Sequence, residues 1–204
     1  MKKLMMASLM AFILLGVAGC GTATQEVTEE VDQVSGGSLE AGEDPLASGG
    51  IDASDIKEIP VKVEGETEMR KAQFNRSGLG YSIYVLEDYQ LASEEPKRDI
   101  IFSTLDDSFF TRIIVHGTNV DGEQIKKTIM EHADGEIEEV EVPLSGVEFA
   151  LHELVESNGE ITSITHVAKE YNGQLIEFTL FLPDKELAEG AAPSMWAMLE
   201  TVDF

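Results

Sequence analysis

The chain has 204 residues, of which 39 are Asp or Glu and 14 are Lys or Arg, so its formal net charge is −25. Binding to nucleic acid, or to anionic lipid through charge alone, needs clustered basic residues, and this composition argues against both. The single cysteine cannot form an internal disulfide bond. A folded domain must therefore be stabilised by its apolar core.

The first twenty residues have the pattern of a targeting segment. Lys2 and Lys3 precede an apolar stretch over residues 4–18, which is short for a membrane span and typical of a cleaved secretory signal. The stretch ends in Val17-Ala18-Gly19-Cys20, which resembles the lipobox of bacterial lipoproteins. This resemblance implies that residues 1–19 are removed and that Cys20 is acylated, so that lipid holds the chain in the bilayer of the cell membrane, facing the extracytoplasmic side. An ordinary secretory signal is the alternative.

Residues 20–58 have the composition of an acidic disordered tether. Residues 21–58 contain ten acids, one lysine, six glycines and no aromatic residue, so they cannot bury an apolar core. A flexible chain of this length spans roughly 35 Å root mean square, which is enough to hold a domain clear of a membrane. An acidic recognition segment is the alternative function for this stretch.

Periodic apolar segments begin at Ile59 and predict a single globular domain over residues 59–204. Short runs rich in β-branched and aromatic residues, each bounded by turn residues, predict the first strands of this domain. The four predicted strands are Met69–Arg76, Gly80–Leu86, Asp99–Leu105 and Phe109–His116.

A helix is predicted over Asp121–Ala133, because Ile125, Ile129 and Ala133 follow a four-residue spacing and Asp121 precedes Gln124 as in a capping box. Glu136–Val142 is predicted to be an edge strand rich in glutamates. The run Pro193–Val202 is predicted to be a closing helix that begins with proline in its first turn and carries core methionines.

Two Asn-Gly pairs, at 158–159 and 172–173, are preferred two-residue hairpin turns and predict a three-strand meander. Its strands are Val147–Ser157, Glu160–Tyr171 and Gln174–Leu182. The turns set the register, so that Val155 opposes Thr162, and His166 opposes both Leu151 and Thr179. Alternation then places His152 and His166 on opposite faces, and each face carries apolar residues.

This order of elements predicts an α+β fold, in which an antiparallel sheet of about six to eight strands has helices packed on its faces. The run Phe74-Asn75-Arg76-Ser77-Gly78-Leu79-Gly80-Tyr81-Ser82-Ile83, the long hairpins and the closing helix resemble the α/β/α sandwich of PsbP-like photosystem proteins and Mog-type Ran-binding proteins. This resemblance implies a non-catalytic domain that acts as an assembly or binding factor and is often lipid-anchored in bacterial relatives.

Residues that could carry chemistry all have a simpler structural interpretation. No nucleophile motif is present, and the histidines lack the spacing of a zinc site, so no catalytic residue, metal or cofactor is predicted. Glutamates 136, 138, 139 and 141 could bind calcium, but alternating strand residues diverge, and an edge strand is the preferred interpretation. The preferred interpretation of Asp106-Asp107 is a turn, and an acid pair is the alternative. The preferred interpretation of Trp196 is a packing residue, and a ligand contact is the alternative. The histidines are His116, His132, His152 and His166.

Two functions remain after these exclusions. The first is a lipid-anchored envelope lipoprotein whose non-catalytic domain binds or helps to assemble another protein. Residues 59–204 contain 29 acids and 11 bases, so the partner is expected to have a basic surface. The second is a small-molecule or substrate-binding lipoprotein, or a transporter accessory, which needs a concave apolar pocket with a few converging polar groups.

Overall fold

The structure is a computed structural model that describes residues 55–204. Within this range, ten strands form two antiparallel sheets and two helices pack against them, so the fold is α+β as predicted. The strands are β1 (Ile56–Val63), β2 (Glu66–Arg76), β3 (Ser82–Leu86), β4 (Tyr89–Glu95), β5 (Arg98–Ser103), β6 (Phe110–Thr118), β7 (Glu136–Glu139), β8 (Val147–Ser157), β9 (Glu160–Tyr171) and β10 (Gln174–Pro183), and the helices are α1 (Gly122–His132) and α2 (Ala188–Leu199).

The smaller sheet has the order β1-β2-β3. Strand β1 was not predicted, and it includes residues 56–58, which the sequence analysis assigned to the tether. Its periodicity is weak because only Ile59 and Val61 are buried, while their neighbours along the strand are exposed. Pro60 fits an edge strand, where a missing backbone N–H breaks no central ladder.

The larger sheet has the order β4-β5-β6-β10-β9-β8-β7 and contains the predicted meander. Asn158 and Gly159, like Asn172 and Gly173, have positive φ angles, as tight hairpin turns of the Asn-Gly type require. All three predicted pairings of Val155 with Thr162 and of His166 with Leu151 and Thr179 are confirmed. Strand β4 was missed because its sequence, YQLASEE, is mostly polar and lies at a sheet edge.

Each face of the meander packs against a different apolar cluster. The main core lies between the two sheets and α2 and includes Ala150, Val167 and Phe178. A second, smaller cluster contains Phe149, Leu151 and Ala168, against which α1 places Ile125 and Ile129. The prediction that both faces are at least partly covered is confirmed.

The two helices differ in how well the sequence predicted them. Helix α1 has its predicted cap, because the Asp121 carboxylate accepts a hydrogen bond of 3.0 Å from the backbone N–H of Glu123. Helix α2 begins at Ala188, not at Pro193, so the proline lies inside the helix and the predicted start was wrong. The first turn of α2 is closed by backbone hydrogen bonds from Gly190 and Ala191 to the carbonyl of Leu187, and no side chain caps it.

Candidate functional site

An apolar groove lies beside α2, and we call it the α2 groove. Its volume is about 440 Å³ and it is open to solvent. Three separate segments line it, because β1 and the loop after β7 contribute residues beside the helix. The lining residues are Pro60, Lys62, Pro143, Ala192, Pro193, Trp196, Ala197 and Glu200.

Helical geometry explains why α2 presents both a core face and a groove face. Met195, Met198 and Leu199 are at most 1% exposed and pack in the main core. Residues 192, 196 and 200 follow a four-residue spacing and therefore form a stripe along the neighbouring face. The Trp196 ring lies at the boundary, half-buried against the core and lining the groove. Trp196 is therefore a packing residue, as predicted, and also forms part of the groove surface.

The groove is apolar but not uncharged. Lys62 and Glu200 line it with opposite charges, and the Glu200 carboxylate accepts a hydrogen bond of 3.0 Å from the Ser145 hydroxyl. Burial, followed by the negative charge of Glu200, raises the pKa of the Tyr171 hydroxyl well above its usual range. That hydroxyl is buried and has no hydrogen-bond partner within residues 55–204.

A chain of polar side chains crosses four strands of the larger sheet, on the face that α1 partly covers. His166 Nε2 lies 3.3 Å from Glu153 Oε1, and its Nδ1 lies 3.5 Å from the Thr179 hydroxyl. That hydroxyl donates to Glu177, whose other oxygen lies 2.8 Å from His116 Nε2. Glu153 also accepts the backbone N–H of Gly135 at 3.0 Å. Each side chain in this polar chain therefore has a hydrogen-bond partner within it.

This polar chain contains two of the four histidines, which were predicted only to lack the spacing of a zinc site. His116, at the end of the predicted strand Phe109–His116, is joined through Glu177 to His166. Glu153 and Glu177 are 5% and 8% exposed, and a pattern of alternation does not reveal that a glutamate points inward. His152 lies on the opposite face from His166, as predicted, and its Nε2 is 2.9 Å from Ser163 Oγ.

The same sheet face also carries an aromatic pair. The rings of Phe110 and Phe181 stack with centroids 4.3 Å apart, and the Arg112 guanidinium lies 5.4 Å and 5.5 Å from the two centroids. Glu94 binds Arg112 through both carboxylate oxygens, at 2.9 Å each. This hydrogen-bonded ion pair lowers the pKa of Glu94. The guanidinium that covers the rings is thus already engaged, so this patch is a weaker candidate for a binding site than the α2 groove.

The remaining predicted residues have structural roles in the described range. Glu136–Glu139 form β7 at the sheet edge, and Glu139 accepts from Lys126 at 2.7 Å. The strand is shorter than the predicted 136–142, because beyond it only the N–H of Val140 still bonds to β8, at the carbonyl of Ala150. His132 Nδ1 lies 2.8 Å from the carbonyl of Thr128 at the end of α1. Within residues 55–204 no group of three or more Asp, Glu, His or Cys side chains is arranged to hold a metal.

Asp106 is a turn residue, as the sequence indicated. Its carboxylate accepts hydrogen bonds from the backbone N–H and hydroxyl of Ser108, at 3.0 Å and 2.5 Å, and from Lys185 Nζ at 3.0 Å. These bonds, the Ser108 hydroxyl first, lower the pKa of Asp106 to about 2. Its neighbour Asp107 is exposed, so the two carboxylates do not act as a pair.

Cys20, the predicted lipidation site, lies outside the described residues, as do the predicted signal segment 1–19 and most of the tether. Among the helices that the structure describes, none is long and apolar enough to cross a membrane.

Three solved structures resemble this fold at low sequence identity. A crystal structure from Bacteroides thetaiotaomicron VPI-5482 has 14% identity and a TM-score of 0.42, covering 60% of this chain and 44% of its own. The solution structure of cyanobacterial PsbP (CyanoP) from Synechocystis sp. PCC 6803 has 13% identity and a TM-score of 0.40, covering 78% and 98%. LpqN, involved in cell envelope biogenesis of Mycobacterium tuberculosis, has 14% identity and a TM-score of 0.38, covering 72% and 90%.

The chain therefore spans less than half the length of the Bacteroides protein. Similarity at this level carries no conclusion about activity or partners. A search of curated proteins finds no match. The sequence profile of one family, described as Domain of unknown function (DUF8580), matches residues 54–203, which include all ten strands and both helices. The chain belongs to this DUF8580 family.

Proposed function

We propose that this protein is a lipid-anchored protein of the cell envelope whose folded domain binds another protein and catalyses no reaction itself. The observation that carries the proposal is the α2 groove, which is lined by a tryptophan and three prolines together with Lys62 and Glu200. Tryptophan is enriched in the centres of protein interfaces and is a frequent hot-spot residue.

The anchor in this proposal is acylated Cys20. Two or more acyl chains hold a protein stably in a bilayer, whereas one binds only marginally. Residues 1–19 are removed and residues 20–54 connect the anchor to β1, so the domain works on the extracytoplasmic side, at a distance set by this connection.

The net charge of the domain favours a partner with a basic surface. Residues 59–204 contain 29 acids and 11 bases, and complementary fields accelerate encounter with a basic surface while repelling acidic ones. Salt screens such fields, because the Debye length falls from about 10 Å at 0.1 M to about 3 Å at 1 M ionic strength. Association should weaken over this range of salt concentration.

The polar chain supports a structural rather than a catalytic role for its members. Each imidazole and each carboxylate is engaged with another member of the chain. The only hydroxyl in it, that of Thr179, belongs to a residue that is 5% exposed. A nucleophile needs access to its substrate as well as a base, and burial of Thr179 denies that access.

A small apolar ligand is the second candidate, because a volume of about 440 Å³ lies within the usual range for ligand sites. Ligand sites normally enclose most of the ligand surface, however, whereas the α2 groove is open to solvent. This shape favours a macromolecular partner.

The two functions can be separated with the full-length protein in detergent. Solubilised native membranes would be passed over the immobilised protein at about 0.1 M and about 1 M salt, which changes the Debye length roughly threefold. In parallel, small solutes and metals would be screened by thermal shift. We expect a protein that is retained at low salt and released at high salt. Saturable stabilisation by one solute, with no protein retained at either salt concentration, would replace this proposal with the ligand-binding one.

A further inference from the structure

We infer that the α2 groove binds an extended, proline-containing basic segment of the partner protein. This inference rests on the proposed function and specifies the partner's contacting element.

The groove favours an extended segment over a helix. Two turns of α-helix, 10–12 Å across and about 11 Å long, occupy roughly 850–1,200 Å³, so only one face of a helix would enter a groove of about 440 Å³. An added β-strand is also disfavoured, since Pro60 lies in the middle of edge strand β1 and cannot donate a backbone hydrogen bond. A polyproline II segment needs neither the volume of a helix nor a continuous sheet edge, and it docks on aromatic-lined grooves.

The walls of the groove suit such a segment. Pro60, Pro143 and Pro193 present rigid rings on three different segments, and Trp196 provides the aromatic surface. Ala192 and Ala197 line the groove with small side chains. Rigid walls and a preformed polyproline II segment both lose little conformational entropy on binding.

Trp196 also brings a hydrogen-bond donor to the lining of the groove, because its indole N–H can only donate. A polyproline II segment has no internal hydrogen bonds, so its carbonyl groups are free to accept.

Electrostatic attraction determines the sign of the charge on the bound segment. The groove itself carries one base and one acid, Lys62 and Glu200, so the preference comes from the net charge of the whole domain. Residues 59–204 contain 29 acids and 11 bases, which favours a basic segment. The same charge disfavours occupation by residues 20–54 of this chain, which contain eight acids and no base.

The experiment uses Trp196 as a reporter, because it is the only tryptophan in the chain. The full-length protein in detergent would be titrated with a synthetic nine-residue peptide that alternates prolines and arginines, and the indole emission would be recorded. We expect a saturable blue shift as the ring is desolvated, and weaker binding at higher salt. A peptide with glycine in place of each proline should bind at least about tenfold more weakly, since it must also lose its conformational freedom.

Variants test whether the response comes from the groove. Ala192→Lys fills the groove with a long cationic side chain and should weaken binding of the labelled peptide, measured by anisotropy, about tenfold or more. Glu189→Gln makes the same change in net charge at an exposed position of α2 outside the groove, and it should leave affinity within about twofold. Both variants keep Trp196, and circular dichroism would confirm that each is folded.

Three results would overturn the inference: equal binding of the proline and glycine peptides, undiminished binding to Ala192→Lys, or no peptide binding. A blue shift with a medium-chain fatty acid in place of any peptide response would assign the groove to a small apolar ligand. Retention of a basic protein from membranes without peptide binding would leave the proposed function standing and reject only this site.

Discussion

A buried carboxylate joins the two sheets, and its removal is the most informative test of the fold. Asp99 on β5 is 4% exposed. Its Oδ2 accepts hydrogen bonds from the Ser77 hydroxyl at 2.5 Å and from the Tyr81 hydroxyl at 2.7 Å. Both donors lie in the connection between β2 and β3, so this cluster links the small sheet to the large one.

We predict that Asp99→Ala lowers the free energy of unfolding by about 2–6 kcal/mol, because it leaves two buried hydroxyl groups without an acceptor at about 1–3 kcal/mol each. Tyr81→Phe removes one donor and leaves Asp99 bonded to Ser77, so it should cost less. Burial and the bond to Asp99 raise the pKa of Tyr81. The stability that this raised pKa contributes is fully present below about pH 10 and is lost progressively as pH rises above that value.

Urea denaturation of the full-length protein in detergent, followed by tyrosine and tryptophan fluorescence, measures these differences. Asp107→Ala is the matched control, because Asp107 is an exposed aspartate for which the structure gives no side-chain hydrogen bond. It should change stability by less than about 0.5 kcal/mol. If Asp99→Ala and Asp107→Ala behave alike, the Asp99 cluster does not hold the sheets together.

The other predictions concern single positions. Gly173→Val should destabilise by about 1–3 kcal/mol in a thermal melt, because valine is strained at the observed φ of +81°; an unchanged melting temperature would contradict the hairpin. Asp106 contributes stability above pH about 4 that disappears as pH falls towards 2, so Asp106→Asn should flatten the acid limb of the stability profile. Tyr171→Phe should be neutral or stabilising in urea, since it removes a buried hydroxyl without a partner. Cys20→Ala should abolish retention in salt-washed membrane pellets if acylation is the anchor; equal retention would refute the lipoprotein assignment.

Local signals predicted the meander well, and this is why its register is confirmed. The Asn-Gly pairs at 158–159 and 172–173 fix a turn type by backbone preference alone, without help from distant residues. Strand β4 and the start of α2 were not predicted, because their sequences lack a strong apolar period and their stability comes from packing. Pro193 suggested the first turn of a helix, but α2 begins at Ala188 and contains Pro193 in its interior.

The candidate site depends on contacts that no local pattern encodes. Pro60, Pro143 and Trp196 come from three segments far apart in the sequence, and only the packing of β1 and α2 brings them together. Likewise, strand alternation places Glu153 and Glu177 on the face of His166, but it does not reveal that they are buried there beside it. The sign of the domain's net charge, in contrast, follows from composition and can be predicted from the sequence.

Site-specific photo-crosslinking in native membranes tests most directly whether the α2 groove is where this protein meets its partner. A photoreactive residue at position 197 lies in the groove, whereas one at position 105 replaces a leucine that is 68% exposed and does not line it. We predict a discrete protein adduct from position 197 that diminishes at high salt and in the Ala192→Lys variant, with little adduct from position 105. Equal adducts from both positions, or none from position 197, would contradict it.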